Sequence, residues 1–231
     1  MVKKITLAAC ALMAACTLFA QTGQQVESGK EDKTCHFGDN WFISAAGGVQ
    51  IYFGDHDRQV SFGDRIAPAL DINVGKWFTP VVGVRLGYNG LSIKGATRWG
   101  QAHSTGVPVD GWGEGLYKSK FGYYNIHVDA MFNISNFIGG YKATRFYNCN
   151  PYVGVGVIHA TESPKETSIT GHLGILNSFR LCDALDLNVD LRGTIMSDHF
   201  DGEPGGRSGE GMLSATIGLT YKFNPRGWNR K

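Results

Sequence analysis

From Trp41 to Phe223 the chain alternates apolar and polar residues with few interruptions. Phe121–Phe137, FGYYNIHVDAMFNISNF, shows the pattern most fully. One row is Tyr124, Ile126, Val128, Ala130, Phe132 and Ile134; the other is Tyr123, Asn125, His127, Asp129, Met131, Asn133 and Ser135. Successive side chains of a strand point to opposite faces, so this spacing predicts one long strand with an oily face and a mostly polar face. Strands of soluble proteins usually run about 5–6 residues, whereas a tilted membrane-spanning strand needs about 9–11. Aromatic residues gather at both ends, Phe121, Tyr123 and Tyr124 at one and Phe132 and Phe137 at the other.

Further stretches repeat the pattern near Trp41–Phe53, Ala67–Phe78, Val81–Lys94, Pro151–Thr161, Thr167–Leu181, Ala184–Met196 and Met212–Phe223. Ala184–Met196 is the cleanest, with Leu185, Leu187, Val189, Leu191 and Ile195 against Asp186, Asn188, Asp190, Arg192 and Thr194. In Val81–Lys94 the phase shifts near Gly90, which predicts a bulge. Thr79-Pro80 and Cys182-Asp183 read as tight turns, and 54–66, 95–116 and 197–211 as long polar loops. The connection 138–148 is longer, and Glu162–Lys165 shorter, than strict alternation of turns and loops expects. An even number of strands, with tight turns at one end and longer loops at the other, marks an outer-membrane barrel. The expected fold is therefore all-β: a transmembrane antiparallel up-and-down β-barrel of about eight strands, whose closure removes the open edges that lipid cannot satisfy.

A soluble lipocalin-like barrel would alternate in the same way, but its water-facing exterior would be rich in Lys and Glu. Here the polar row is Ser, Thr, Asn and Gly with charges of both signs. Asp71, Asp129, Asp186 and Asp190 stand against Arg85, Arg180, Arg192 and Lys222. With His127 and His172 they form the expected lumen network. The interior of so small a barrel is just filled by side chains, and charge inside it is costly unless paired.

Composition narrows the class further. The chain has 231 residues, of which 32 are Gly, 12% aromatic and 18% charged, which argues against a coiled coil or a charge-rich disordered chain. The net charge of +2 and the scattered Lys and Arg leave no nucleic-acid patch. Residues 1–20 read as a signal peptide, with Lys3 and Lys4 ahead of the apolar run Ile5–Phe19 and cleavage between Ala20 and Gln21. Leu7-Ala8-Ala9-Cys10 and Met13-Ala14-Ala15-Cys16 offer a competing lipoprotein processing site. Residues 21–39 then form a flexible periplasmic lead-in, 40–224 the barrel and 225–231 a short tail.

No GxSxG, HExxH, CxxC or phosphate-binding loop is present. Some small outer-membrane barrels modify lipids with a His and a Ser near the outer rim, so His159, His172, Ser163 and Ser168 are candidates for that role. General-base work needs positioned partners, and the preferred reading makes His172 a lumen residue and His159 a rim residue. Asp55-His56-Asp57 and Asp198-His199-Phe200-Asp201-Gly202-Glu203 lack metal-ligand spacing and read as solvated loops. No cofactor or metal is expected. His127 and Asp129, two apart on one face, suit either a gate or a hydrogen-bonded plug, and the plug is preferred. Export would leave Cys35, Cys149 and Cys182 in an oxidising compartment. Cys149–Cys182 is the expected pair across the Glu162–Lys165 turn, with Cys35 pairing to either as the open alternative.

The stretches GDNWFISAAGGVQIYFGDHDRQ, PALDINVGKWFTPVVGVRLGYNGLSIKGAT, YYNIHVDAMFNISN and NPYVGVGV resemble the N-terminal membrane barrel of outer-membrane protein A-like proteins. The resemblance covers most of residues 38–223 and specifies fold better than activity. It implies an integral outer-membrane barrel with a structural, adhesive or surface-interaction role. Relatives often carry a periplasmic peptidoglycan-binding domain, which this sequence is expected to lack. The expected partners are outer-membrane lipids and a surface ligand at loops 54–66, 95–116 and 197–211. A lipid-modifying enzyme and a small low-conductance pore are the alternatives.

Overall fold

The computed structural model describes residues 37–54, 60–98, 103–111, 115–162, 165–196 and 210–223. The expected signal peptide with its Ala20/Gln21 cleavage site, the lead-in as far as 36, Cys35, the two Asp/His loop motifs, Ser163 and the tail lie outside these residues. The strands are β1 (Trp41–Phe53), β2 (Ile66–Trp77), β3 (Val82–Thr97), β4 (Ser104–Pro108), β5 (Tyr117–Phe132), β6 (Tyr147–Ala160), β7 (Thr167–Arg180), β8 (Leu185–Met196) and β9 (Glu210–Phe223). Two short helices, α1 (Phe62–Arg65) and α2 (Ile134–Gly139), sit in connections.

Every pairing is antiparallel. The ring runs β1-β2-β3-β5-β6-β7-β8-β9 and closes through β1–β9, while β4 adds to the loop end of β5 outside the ring. Alternation then sorts the side chains. Leu173, Ile195 and Ile217 are 70%, 71% and 58% exposed on the outer face, while the Asp, Arg, His, Asn and Thr rows are buried inside. An outer wall this apolar around a polar interior suits a barrel whose solvent is lipid.

Two prolines mark where ladders end. Pro68 pairs with Val49 on β1, but the β2–β3 ladder reaches only Ala69. Pro151 pairs with Ile175 on β7, but the β5–β6 ladder reaches only Tyr152. A residue without an N–H is tolerated where one neighbour is absent. The bulge expected near Gly90 does not occur. β3 pairs residue for residue with β5 from Val82↔Phe132 to Thr97↔Tyr117. What changes there is the backbone at Leu91, whose φ is 156° and whose side chain is 49% exposed, before the inward row resumes at the buried Ile93.

The stretch read as one strand over Phe121–Phe137 starts earlier and ends sooner, and its last residues turn into α2. Asn133 is the reason: its side chain accepts from Asn136 N at 2.8 Å, which caps the helix. The Asn136 amide in turn donates to Pro80 O at 2.7 Å and ties α2 to the β2–β3 turn. Phe137, Ile138 and Phe146 in this connection point outward. Phe137 packs on Phe132 and Phe146 on Phe179, with ring centroids 5.3 and 5.9 Å apart, so the aromatic belt of the wall continues onto the connection.

Candidate functional site

The lumen is a stack of three layers. Nearest the turns, Phe42, Met131, Tyr152 and Leu176 cluster, with Trp77 packed on them. Towards the loops, Tyr52, Ile93, Phe121, Tyr123, Ile158, Ala160, Met196 and Met212 form a second apolar cluster. Between them lies a charged layer.

Arg85 on β3 is the hub of that layer. Its Nε lies 2.8 Å from Asp129 Oδ2 on β5, and its Nη2 3.1 Å from Asp190 Oδ2 on β8. Its guanidinium stacks 4.1 Å from the centre of the Tyr152 ring. Arg192, two residues after Asp190, puts Nη2 2.6 Å from Asp71 Oδ2 on β2 as an ion pair, and donates from Nε to the Tyr152 hydroxyl at 3.0 Å. That hydroxyl donates to Asp190 Oδ1 at 2.8 Å. His127 bridges the two halves, with Nδ1 3.1 Å from Asp129 Oδ1 and Nε2 3.3 Å from Arg192 Nη1. Arg85 is 1% exposed and Asp129 0%. Such charges are tolerable only because each has a charged or hydrogen-bonding partner.

A neutral network continues towards the loops. The His172 ring lies 5.0 Å from that of His127, its Nδ1 3.1 Å from Thr194 Oγ1 and its Nε2 2.9 Å from Thr170 Oγ1. Asn125 donates to Asn89 Oδ1 at 3.0 Å. Glycines in the same rows make the room. A Cβ on Gly154 would stand 2.9 Å from Asp129 Cγ, closer than packed atoms approach.

Asp71, Arg85, His127, Asp129, Asp190 and Arg192 thus meet in one cluster, and His172 lies beside it. Arg180, Asp186 and Lys222 do not join it. They sit at the turn end, where Lys222 Nζ holds Asp186 Oδ1 at 2.7 Å and Arg180 pairs with Asp183 in its own turn. Tyr152, which joins both arginines to Asp190, escaped the sequence reading. Its signal was its place in the same inward row as Gly154 and Gly156.

The expected Cys149–Cys182 bridge is absent, and both thiols are free. Cys149 faces Asn177 across the β6–β7 ladder, and Cys182 lies five residues further on, in the β7–β8 turn. A disulfide needs Cα atoms about 4.4–6.8 Å apart. The β6–β7 ladder is centred on residue 163, so Cys149 stands 14 residues before the centre and Cys182 19 after it, which puts the two out of register. His159 sits on the outer side of the wall, 2.8 Å from Thr167 Oγ1 and packed on Tyr124, while His172 lies in the lumen. The two histidines therefore share no site. Among the described residues no three His, Cys, Asp or Glu side chains are placed to hold a metal ion.

Beyond the loop end, chain from two connections packs together against β3. Val60, Val109 and Leu116 cluster against Ala96. Lys118 Nζ lies 3.0 Å from Asp64 Oδ2, and this hydrogen bond holds the Asp64 carboxyl below its ordinary range. His103 stacks on Phe121 at 4.0 Å, buried, and neither ring nitrogen has a hydrogen-bond partner among the described residues. Burial lowers its pKa from the ordinary 6.5, against a smaller opposing pull from Glu162. An opened loop would take up a proton near pH 6.5, and the closed one only at lower pH. The closed form is therefore favoured above that value and weakens as pH falls through it. Exchange of the Lys120 amide, which donates to His103 O at 3.0 Å, should lose protection in acid, and His103→Phe should remove that dependence.

No family model matches the chain. Outer membrane protein 41 of Porphyromonas gingivalis is 29% identical over 209 residues, covering 83% of this chain and 50% of the relative. Outer membrane protein 40 of the same organism is 27% identical over 201 residues, covering 82% and 48%. The chain thus spans about half the length of the curated relatives it matches. Among solved structures, Neisserial surface protein A superposes with a TM-score of 0.52 at 12% identity, covering 79% of this chain and 97% of that one. The closed ring, its apolar wall and these likenesses together make the chain an eight-stranded antiparallel β-barrel protein of the outer membrane.

Proposed function

We propose that the barrel is a non-catalytic scaffold that presents its loop end for contacts at the cell surface. The observation that carries this is the filling of the lumen. Among the described residues two apolar clusters enclose a layer whose charges are engaged with one another, which favours a closed interior over an ion path or a catalytic acid or base. Built structure lies instead at the loop end, where β3 and β5 stay paired through Thr97↔Tyr117 and β4 and α1 pack beside them. The surface ligand is taken by the loops around 54–66, 95–116 and 197–211.

Three measurements test the reading. Planar-bilayer recording of the refolded chain should show no conductance steps, and regular steps would overturn the sealed lumen. Lipid A from cells with and without the gene should be identical, and a changed profile would overturn the non-catalytic assignment. Cells displaying the chain should attach to an immobilised extracellular matrix better than cells displaying a variant with residues 99–115 replaced by a short Gly-Asn turn. Equal attachment, with both barrels still heat-modifiable on gels, would sink the surface role.

A further inference from the structure

The helix α2 turns its polar side to the protein and its apolar side away. The Cys149 amide donates to Ser135 Oγ at 2.9 Å, and Asn136 Nδ2 donates to Pro80 O at 2.7 Å, so the polar side chains hold the helix to the barrel. Ile134, Phe137 and Ile138 recur at the spacing that lines one helix face. They are 36%, 65% and 80% exposed. Phe146, at the far end of the same connection, is 64% exposed. An apolar patch of this kind, contiguous and unpaired, marks a contact surface.

Two observations say what covers it. The first is continuity. Phe137 packs on Phe132, the last residue of β5, and Phe146 on Phe179 near the end of β7. Both partners stand in outward rows, so the apolar face prolongs the lipid-facing wall without a break. The second is charge. The connection carries Lys142 and Arg145, and the sequence has no acidic residue between Asp129 and Glu162. The carboxylates of the β7–β8 turn and the start of β8, Asp183 and Asp186, are engaged by Arg180 and Lys222. Arg145 Nη2 donates to Gly139 O and Gly140 O, which sets its guanidinium at the end of α2, next to Ile138 in the chain. Lys142 is exposed.

Exposed apolar side chains with cations on the same short segment are the pattern of an interfacial helix on an anionic lipid surface. The tight turns of outer-membrane barrels face the periplasm, and the leaflet on that side is built of phospholipid. We propose that the α2 connection seats an anionic phospholipid of this leaflet. Its acyl chains lie on Ile134, Phe137, Ile138 and Phe146. Its headgroup meets Lys142 and Arg145 where the apolar wall ends. A soluble acidic partner would satisfy the cations but leave four apolar side chains in water. A zwitterionic lipid would cover those side chains but bring the cations no net counter-charge.

The test is NMR of the full chain, isotope-labelled and refolded into phosphatidylcholine nanodiscs with a rising share of phosphatidylglycerol of the same chain length. In the phosphatidylcholine discs the Ile138 δ-methyl should cross-relax with acyl-chain protons and not with water. Phosphatidylglycerol should then shift the Lys142 and Arg145 amide signals saturably. Its preference over phosphatidylcholine should fall about fivefold in Lys142→Gln. That variant changes an exposed side chain, so the Ile138 contacts and the rest of the spectrum should stay as they are. Lys120→Gln, at an exposed site on the loop end, should leave the preference unchanged. Water contacts at Ile138 would put the face outside the bilayer. An equal response to both lipids would leave it apolar but unselective. An undiminished preference in Lys142→Gln, or an equal loss in Lys120→Gln, would mean that the headgroup sits elsewhere. Each of these results would overturn the proposal.

Discussion

Arg85→Ala should destabilise the folded barrel by about 3–5 kcal/mol, because it strands a buried charge. Without Arg85, Asp129 keeps only His127 at 3.1 Å. Asp190 keeps Tyr152 and the longer 3.7 Å contact to Arg192. The guanidinium also covers the Tyr152 ring, so its removal leaves a void between the charged layer and the apolar cluster below. Urea unfolding of the chain in lipid vesicles reads the loss. The companion variant is Arg85→Ala with Asp129→Asn. Removing both charges should cost clearly less than the sum of the single changes, since contacting residues are not additive. Additive costs would mean that the lumen is wet enough to solvate Asp129, and the description of a sealed charged layer would fail with it.

The second large effect belongs to the outer wall. Leu173 lies midway along β7 and is 70% exposed. In a lipid-facing position near the bilayer midplane, Leu173→Arg should cost about 2–4 kcal/mol. Leu181→Arg, in the turn beyond β7, should cost about 0–1 kcal/mol, because the price of a charge on this face falls towards the interface. A water-facing wall predicts no such gradient, as exposed substitutions then stay within about 0.5 kcal/mol. The contrast between two exposed leucines, 70% and 55%, therefore tests the membrane assignment by depth rather than by hydrophobicity alone.

Much of this was legible in the chain. A period of two leaves no choice about which residues share a face, so the rows containing Arg85, His127, Asp129, Asp190 and Arg192 could be written down from spacing alone. Strand ends were less legible. Asn133 reads as one more polar position in an alternating row, and only the position of Asn136 N shows it capping a helix. The cysteines failed for a related reason. Matching them around a hairpin required the centre of the turn, and the ladder places it at residue 163, so that Cys149 pairs with Asn177 and Cys182 falls five residues further on.

By itself the sequence determined the class of structure: alternating rows long enough to cross a bilayer, an apolar row for lipid and a mixed-charge row for the lumen. Those follow from local geometry, which every residue carries with it. Only the tertiary structure decided which charges meet. Arg85 finds Asp129 and Asp190 across 44 and 105 residues of chain, while Arg180 pairs within its own turn and Asp186 with Lys222. Height in the barrel sets these partners, and height depends on the stagger of every ladder around the ring, a quantity that no single stretch of sequence contains.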